Sequence, residues 1–313
     1  MIDEDTHVSV ELIDWRTIHD HGDEIVDGLI IPGRWTALAA KAKAGKTTLQ
    51  MFITVEISEG RDPFDGTPRE PVVVLYVDGE MGRFDLEERL RELGHIDPTK
   101  LARWFATDLP PRLDTIEGGT ALVVAAKQLG AQVVVIDGVN GTVDGAEKDD
   151  VTWRSFFDNT IMPLKRAGVA VITGDNLGKD ESLGPRGSSV KVDKPDAVIL
   201  LSRTDDGVKL RTSHRRSSAY PAERTLSIVG VDGECAVAYH TTNSAWPAGT
   251  ADVAALLDEL SIPLDHGRWK IRQRLDELKA NAGDPTRFQV RNDALAAAIR
   301  YRKIRAATTT GTP

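Results

Sequence analysis

Residues 35–49, WTALAAKAKAGKTTL, pass from an apolar run into a loop of small residues that ends Gly45-Lys46-Thr47-Thr48. Small residues let successive backbone N–H groups turn inward, and at the start of a helix such a row of donors surrounds a phosphate. The residues that would wrap it are Ala40, Lys41, Ala42, Lys43, Ala44, Gly45, Lys46, Thr47 and Thr48. In that arrangement the Lys46 ammonium reaches the β- and γ-phosphates and the Thr47 hydroxyl is a hard oxygen ligand for Mg²⁺, so ATP and Mg²⁺ are the expected substrate and cofactor. The consensus spacing has Gly where Ala40 stands. Alanine serves there as long as its dihedrals stay out of the left-handed region. A plain glycine-containing turn is the alternative reading of the loop.

The flanking elements have the periods such a loop needs. Trp35 to Ala39 reads as a strand, and Leu49, Phe52, Ile53, Val55 and Ile57 recur at helical spacing across 47–57. Val72 to Asp78 is an unbroken β-branched run of the kind buried inside a parallel sheet, and it ends Asp78-Gly79-Glu80-Met81. Open α/β sheets collect functional groups at the carboxyl ends of their strands. Glu80 there can polarise the water that attacks a γ-phosphate; capping the helix from Arg83 to Leu93 is its other reading. Gln132 to Asp137 is a second buried strand ending in an acid, and Asp137 at that distance after a phosphate loop supports the metal together with Thr47. Val169 to Thr173 is a third, followed by Gly174-Asp175-Asn176. Residues 184–191, GPRGSSVK, read as a loop too polar for the core. Ala197–Ser202, Val208–Ser213 and Leu226–Val229 then continue as short strands, with Asp205-Asp206-Gly207 as a turn, so βα alternation gives way to antiparallel hairpins.

The markers AKAKAGKTT, DGEM, VVVID, DNLGKD, RGSS and His214-Arg215-Arg216 resemble those of RecA-like hexameric ATPases of the plasmid RepA replicative-helicase type, relatives of DnaB and RecA. The resemblance covers about residues 28–240. It implies a RecA-like α/β fold: a mostly parallel sheet with antiparallel hairpins at its end and nucleotide sites between subunits of a ring, most simply a hexamer. It also implies that Asp175 or Asn176 senses the γ-phosphate, where relatives often carry His-His or Asp-His, and that Arg216 is offered to a neighbour's nucleotide. Solvated charge at a hairpin end is the competing reading of Arg215 and Arg216.

The chain has 313 residues, 41% hydrophobic and 28% charged, a net charge of −9 and the single cysteine Cys235. That composition is ordinary for a globular protein, excludes an intrachain disulfide and contains no Cys/His cluster for zinc. No apolar run approaches a membrane span and no signal-peptide pattern opens the chain, so a cytoplasmic location is expected. The division expected is an acidic extension at 1–27, the ATPase domain at 28–240, a linker at 241–250 and a small helical domain at 251–306. From residue 249 onward eleven Lys and Arg face eight Asp and Glu. Three short helical stretches in this tail suggest a helix-turn-helix or winged-helix unit. Arg268, Lys270, Arg272 and Arg274 in its middle helix, and Arg300, Arg302, Lys303 and Arg305 in its last, are candidates for meeting DNA phosphates, as are Lys179, Arg186 and Lys191 in the core. A docking unit with basic solvent faces is the alternative. The reading is an ATPase that unwinds or moves along DNA during replication of a phage, plasmid or mobile element. A recombinase or loader, and a regulatory switch with protein partners, are the other classes.

Overall fold

The computed structural model describes residues 24–94, 101–108, 110–178, 185, 187–205, 207–231, 236–241, 249–281, 285–291, 294–299 and 301–303. The core elements run β1 (Trp35–Ala40), α1 (Lys46–Ser58), β2 (Val74–Asp78), α2 (Arg83–Glu92), β3 (Trp104–Thr107), α3 (Ile116–Leu129) and β4 (Val133–Asp137). They continue with α4 (Asp150–Phe156), α5 (Met162–Arg166), β5 (Ala170–Asn176), α6 (Val190–Asp193), β6 (Ala197–Arg203), β7 (Gly207–Arg215), β8 (Glu223–Val231) and β9 (Ala236–Thr241). A π-helical turn, Phe157–Ile161, joins α4 to α5 into one continuous helix. The tail holds α7 (Thr250–Glu259), α8 (Arg268–Asn281) and helical residues 294–299 and 301–303.

All nine strands form one sheet in the order β3-β2-β4-β5-β1-β6-β7-β8-β9. The first six are mutually parallel and the last three antiparallel, which is the mixed α/β architecture of a P-loop NTPase. The parallel strands are apolar on both faces because both are covered. One face packs Leu38, Ala40, Val74, Tyr76, Val133, Val135, Ala170 and Ile172 against α1 residues such as Leu49, Phe52 and Ile53. The other packs Leu75, Val77, Val134, Ile136 and Val171 against Leu122, Ala126, Phe156 and Leu164 of α3, α4 and α5. Residues 24–30 already belong to the first of these cores through Val26, Leu29 and Ile30.

Two sequence expectations change, and one strand is added. β5 runs on through Gly174, Asp175 and Asn176, because its last residues still pair with β1 as far as Ala40↔Asn176. The stretch 187–191 is not the solvated loop its polarity suggests: Ser188, Val190 and Lys191 are all buried, because each polar side chain has a partner inside. The alternating stretch around Tyr239 forms a ninth strand that folds back over α1 and α2, with the Tyr239 ring against Phe52 at 5.2 Å. Cys235 lies outside the described residues.

Candidate active site

The phosphate loop leaves β1 in mid-sheet and enters α1 at Lys46. Ala40 is the last residue of β1, paired to Asn176 on one side and Leu201 on the other, so it is extended and wholly buried. Alanine therefore costs nothing there. The left-handed positions of the loop are Gly45, at φ 93°, and Lys43, at φ 64°. Lys43 holds a conformation that costs an L-residue roughly 1–2 kcal/mol, so the loop stores its strain three residues after the place where the consensus departs.

Asp137, at the end of β4, is the hub. Its Oδ1 accepts from Lys46 Nζ at 2.7 Å and from the Gly138 N–H at 3.0 Å, and its Oδ2 accepts from Thr47 Oγ1 at 2.5 Å and from the Tyr76 hydroxyl at 3.0 Å. Tyr76 comes from β2, and burial followed by the Asp137 charge pushes its hydroxyl well above its ordinary value, so it stays a donor. β5 lies between β4 and β1, and the residue there is Gly174. A methyl group on Gly174 would stand 2.3 Å from Asp137 Oδ1, 2.7 Å from Gln50 Oε1 and 2.9 Å from Lys46 Nζ. Only a residue without a side chain lets β4 and α1 meet across β5. Gly174 and Tyr76 are thus site residues that motif reading missed, since neither carries a signal until the strand order is known. Gln50 is a third: it is buried one turn after Lys46, and neither of its amide atoms has a hydrogen-bond partner.

The mixed oxygen set of Thr47 and Asp137 fits Mg²⁺, which takes few protein oxygens and keeps water and phosphate for the rest of its octahedron. No cluster of three or more His, Cys, Asp or Glu that could hold a metal ion by itself occurs among the described residues.

Glu80 is exposed and does not cap α2, whose N-cap is Gly82. Its side chain instead crosses the backbone just after Asp137: a methyl group on Gly138 would lie 2.2 Å from the Glu80 Cγ. The turn that places it is shaped by Asp78, whose Oδ1 accepts from the N–H groups of Glu80 (3.0 Å) and Met81 (2.9 Å). The other oxygen, Oδ2, is buried without a partner, and burial pushes the Asp78 carboxyl above the usual carboxylate range against the pull of those two donors. The folded state then holds this proton to higher pH than the unfolded chain, so the carboxyl's contribution to stability is lost as pH rises through the folded value. Asp78→Asn keeps the turn-forming oxygen and cannot ionise. Its stability relative to the parent is expected to improve as pH rises from below the unfolded carboxylate pKa of about 3.9 to neutral, read from denaturant midpoints at the two ends of that range.

Asp175 and Asn176 separate onto opposite faces of β5. Alternation puts Ala170, Ile172, Gly174 and Asn176 on the α1 side and Val171 and Asp175 on the other. Asp175 is fully engaged there, by Lys191 Nζ at 2.8 Å, Asn140 Nδ2 at 3.1 Å and the Asn176 N–H at 2.7 Å. Asn176 is the residue of the two that shares a face with the phosphate loop.

Arg216 follows β7, whose Arg215 pairs with Ala197, which in turn pairs with Thr36 at the start of β1. It stands at the opposite end of the sheet from its own phosphate loop, exposed, with its guanidinium donating to the Asp193 carbonyl. Of the residues offered for DNA, Lys191 is 3% exposed and its ammonium is held by Asp175 and Asn140, so it meets no channel. Arg268 is tied to Glu24 of the core, and Arg302 is buried on Asp258 and the Ile262 carbonyl. Lys270 and Arg274 lie exposed on α8, Arg274 beside Glu277, and Arg272 is half-buried. Lys179, Arg186, Arg300 and Arg305 lie outside the described residues.

A family model described as an AAA domain matches residues 7–182, more than half of the chain and the whole stretch from β1 through β5. The chain belongs to the AAA-domain family. The chain therefore carries an AAA-type P-loop ATPase domain, and the matched stretch contains the loop, Asp137 and the strands around them. No curated protein matches the chain. No helix among the described residues is long and apolar enough to cross a membrane. The antiparallel strands, α7 and α8 lie beyond the matched AAA domain.

Proposed function

We propose that this AAA domain hydrolyses ATP with Mg²⁺ in the manner of the RecA-like RepA and DnaB ATPases, as a ring whose nucleotide sites lie between subunits, and that the turnover drives movement on DNA. The observation that carries the ATPase reading is the Asp137 hub, which gathers the two side chains of the phosphate loop on one carboxylate. The loop N–H groups hold the β-phosphate, and Lys46 exchanges Asp137 for phosphate oxygens. Thr47 and Asp137 would hold Mg²⁺, which when bound would supply charge neutralisation for the phosphates. Glu80, unencumbered and in solvent, accepts the proton of the attacking water. Asn176 donates its amide to a γ-phosphate oxygen, with Asp175 behind it as support. Arg216 lies too far along the sheet for its own nucleotide, some five strand residues or roughly 15 Å, and serves a neighbouring subunit. The expected division leaves the tail from 251 onward as a separate DNA-contacting unit.

Support for the DNA part is the pair Lys270 and Arg274, exposed one turn apart on α8, with the aromatic Trp269 38% exposed beside them. A second reading, a regulatory switch acting on protein partners through the tail, draws on the withdrawal of Lys191 and Arg268 into ion pairs. The two separate on the ATPase rate with and without single-stranded DNA at low and moderate salt. A DNA motor shows stimulation that falls with salt, because phosphate contacts release counterions, and that drops several-fold in Lys270→Glu/Arg274→Glu with the basal rate unchanged. Turnover indifferent to DNA under all conditions supports the switch; stimulation without strand displacement points to a recombinase or loader.

A further inference from the structure

Behind β5, on the face away from the phosphate loop, lies a buried polar cluster of which the reaction as described uses only Asp175. Lys191 is at its centre. Its Nζ donates to Asp175 Oδ2 at 2.8 Å and Asn140 Oδ1 at 2.6 Å, and lies 3.8 Å from the centre of the Trp153 ring. Asn140 in turn donates to Asp175 Oδ1 and to Glu147 Oε1, both at 3.1 Å, and the Trp153 indole donates to the Glu147 carbonyl at 2.8 Å. One residue on α6 therefore joins the end of β5, the turn after β4 and the start of α4. The last two of these segments both follow β4, so Lys191 ties the end of β5 to the chain that leaves its neighbour β4.

A buried ammonium is expensive to keep. Taking a lysine out of water costs several kcal/mol, and an apolar residue of the same length would pack at this place without that cost. The ion pair therefore adds geometry more than stability, and the geometry it fixes is that of Asp175. Asp175 also binds the N–H of Asn176, so the carboxylate that Lys191 holds from behind determines where the Asn176 backbone, and with it the side chain on the phosphate-loop face, comes to rest. We propose that Lys191 is a positioning residue for hydrolysis: through Asp175 and Asn140 it holds the end of β5 so that Asn176 stands at the γ-phosphate position. This rests on the reading of Asn176 as the γ-phosphate sensor.

The test measures kcat, KM for ATP, melting temperature, and the affinity for a non-hydrolysable ATP analogue in EDTA, on the full chain. The variants are Asn176→Ala, Lys191→Met, Lys191→Arg, Lys191→Met/Asn176→Ala and Lys191→Met/Asp175→Asn. A displacement of about 1 Å at a catalytic position costs roughly a hundredfold. Lys191→Met is accordingly expected to lower kcat about a hundredfold with KM and analogue affinity within threefold of the parent, and Lys191→Arg to recover part of the rate. Combining Lys191→Met with Asn176→Ala should cost no more than the worse single change, since both remove the same function. Lys191→Met/Asp175→Asn carries no unpaired buried charge and covers the case in which Lys191→Met fails to fold; it should recover the melting temperature and not the rate. If it recovers both, or if Lys191→Met lowers only the melting temperature, or if the two losses multiply, the positioning role is wrong. If Asn176→Ala itself leaves kcat unchanged, the sensor reading falls first, whatever Lys191 does.

Discussion

Asp137→Ala is expected to reduce ATP hydrolysis by at least about a thousandfold and to destabilise the protein by about 3–5 kcal/mol. Four donors lose their acceptor at once: the Lys46 ammonium, the Thr47 and Tyr76 hydroxyls and the Gly138 N–H. The Lys46 side chain is only 7% exposed, so its charge is left buried with no partner, the costly half of a broken buried ion pair. Asparagine does not repair the site. Each Asp137 oxygen accepts from two donors, and an amide nitrogen in either place puts a donor against donors. Asp137→Asn should fall between parent and alanine in stability and near alanine in rate. Thermal melts and a phosphate-release assay decide the matter, and a variant that keeps a tenth of the parent's rate would remove Asp137 from the metal site.

Glu80→Gln is the second large effect and has the opposite profile. The side chain is exposed and carries no structural hydrogen bond among the described residues, while the turn that places it is made by Asp78 with backbone donors. The amide keeps the shape and loses the basic oxygen. Hydrolysis should fall by about 10²–10⁴-fold, the usual contribution of a positioned base, with melting temperature and nucleotide affinity unchanged. Rapid turnover in this variant would return Glu80 to a purely local role in the loop before α2. Together the two variants separate a residue that builds the site from one that acts in it.

How much of this could be read before folding depends on the range of the interaction. The loop, α1, the strands ending in Asp78 and Asp137 and the run from Val169 to Thr173 are local patterns: β-branched runs for strands covered on both faces, 3.6-residue periodicity for helices, small residues for a phosphate loop. Lys46, Thr47, Asp137 and Glu80 follow because their roles attach to places along such a pattern. Lys191 shows the opposite case. In sequence it is a lysine in a polar segment and reads as a solvent or phosphate contact; in the fold it is buried because Asp175 and Asn140, 16 and 51 residues earlier, converge on it. Arg268 is similar, since its partner Glu24 lies at the other end of the chain.

By itself, then, the sequence determined that the chain carries an AAA-type P-loop α/β core, and the phosphate and metal roles proposed for its short segments rest on the same neighbouring residues. Tertiary structure alone decided the rest. It showed that Gly174 must be glycine, that Tyr76 serves Asp137, that Asn176 faces the phosphate loop while Asp175 faces Lys191, and that Ala40 is harmless while Lys43 carries the strain. These depend on the order of strands in the sheet and on the alternation of side chains across it, and the β3-β2-β4-β5-β1-β6 order brings together residues that no spacing along the chain relates.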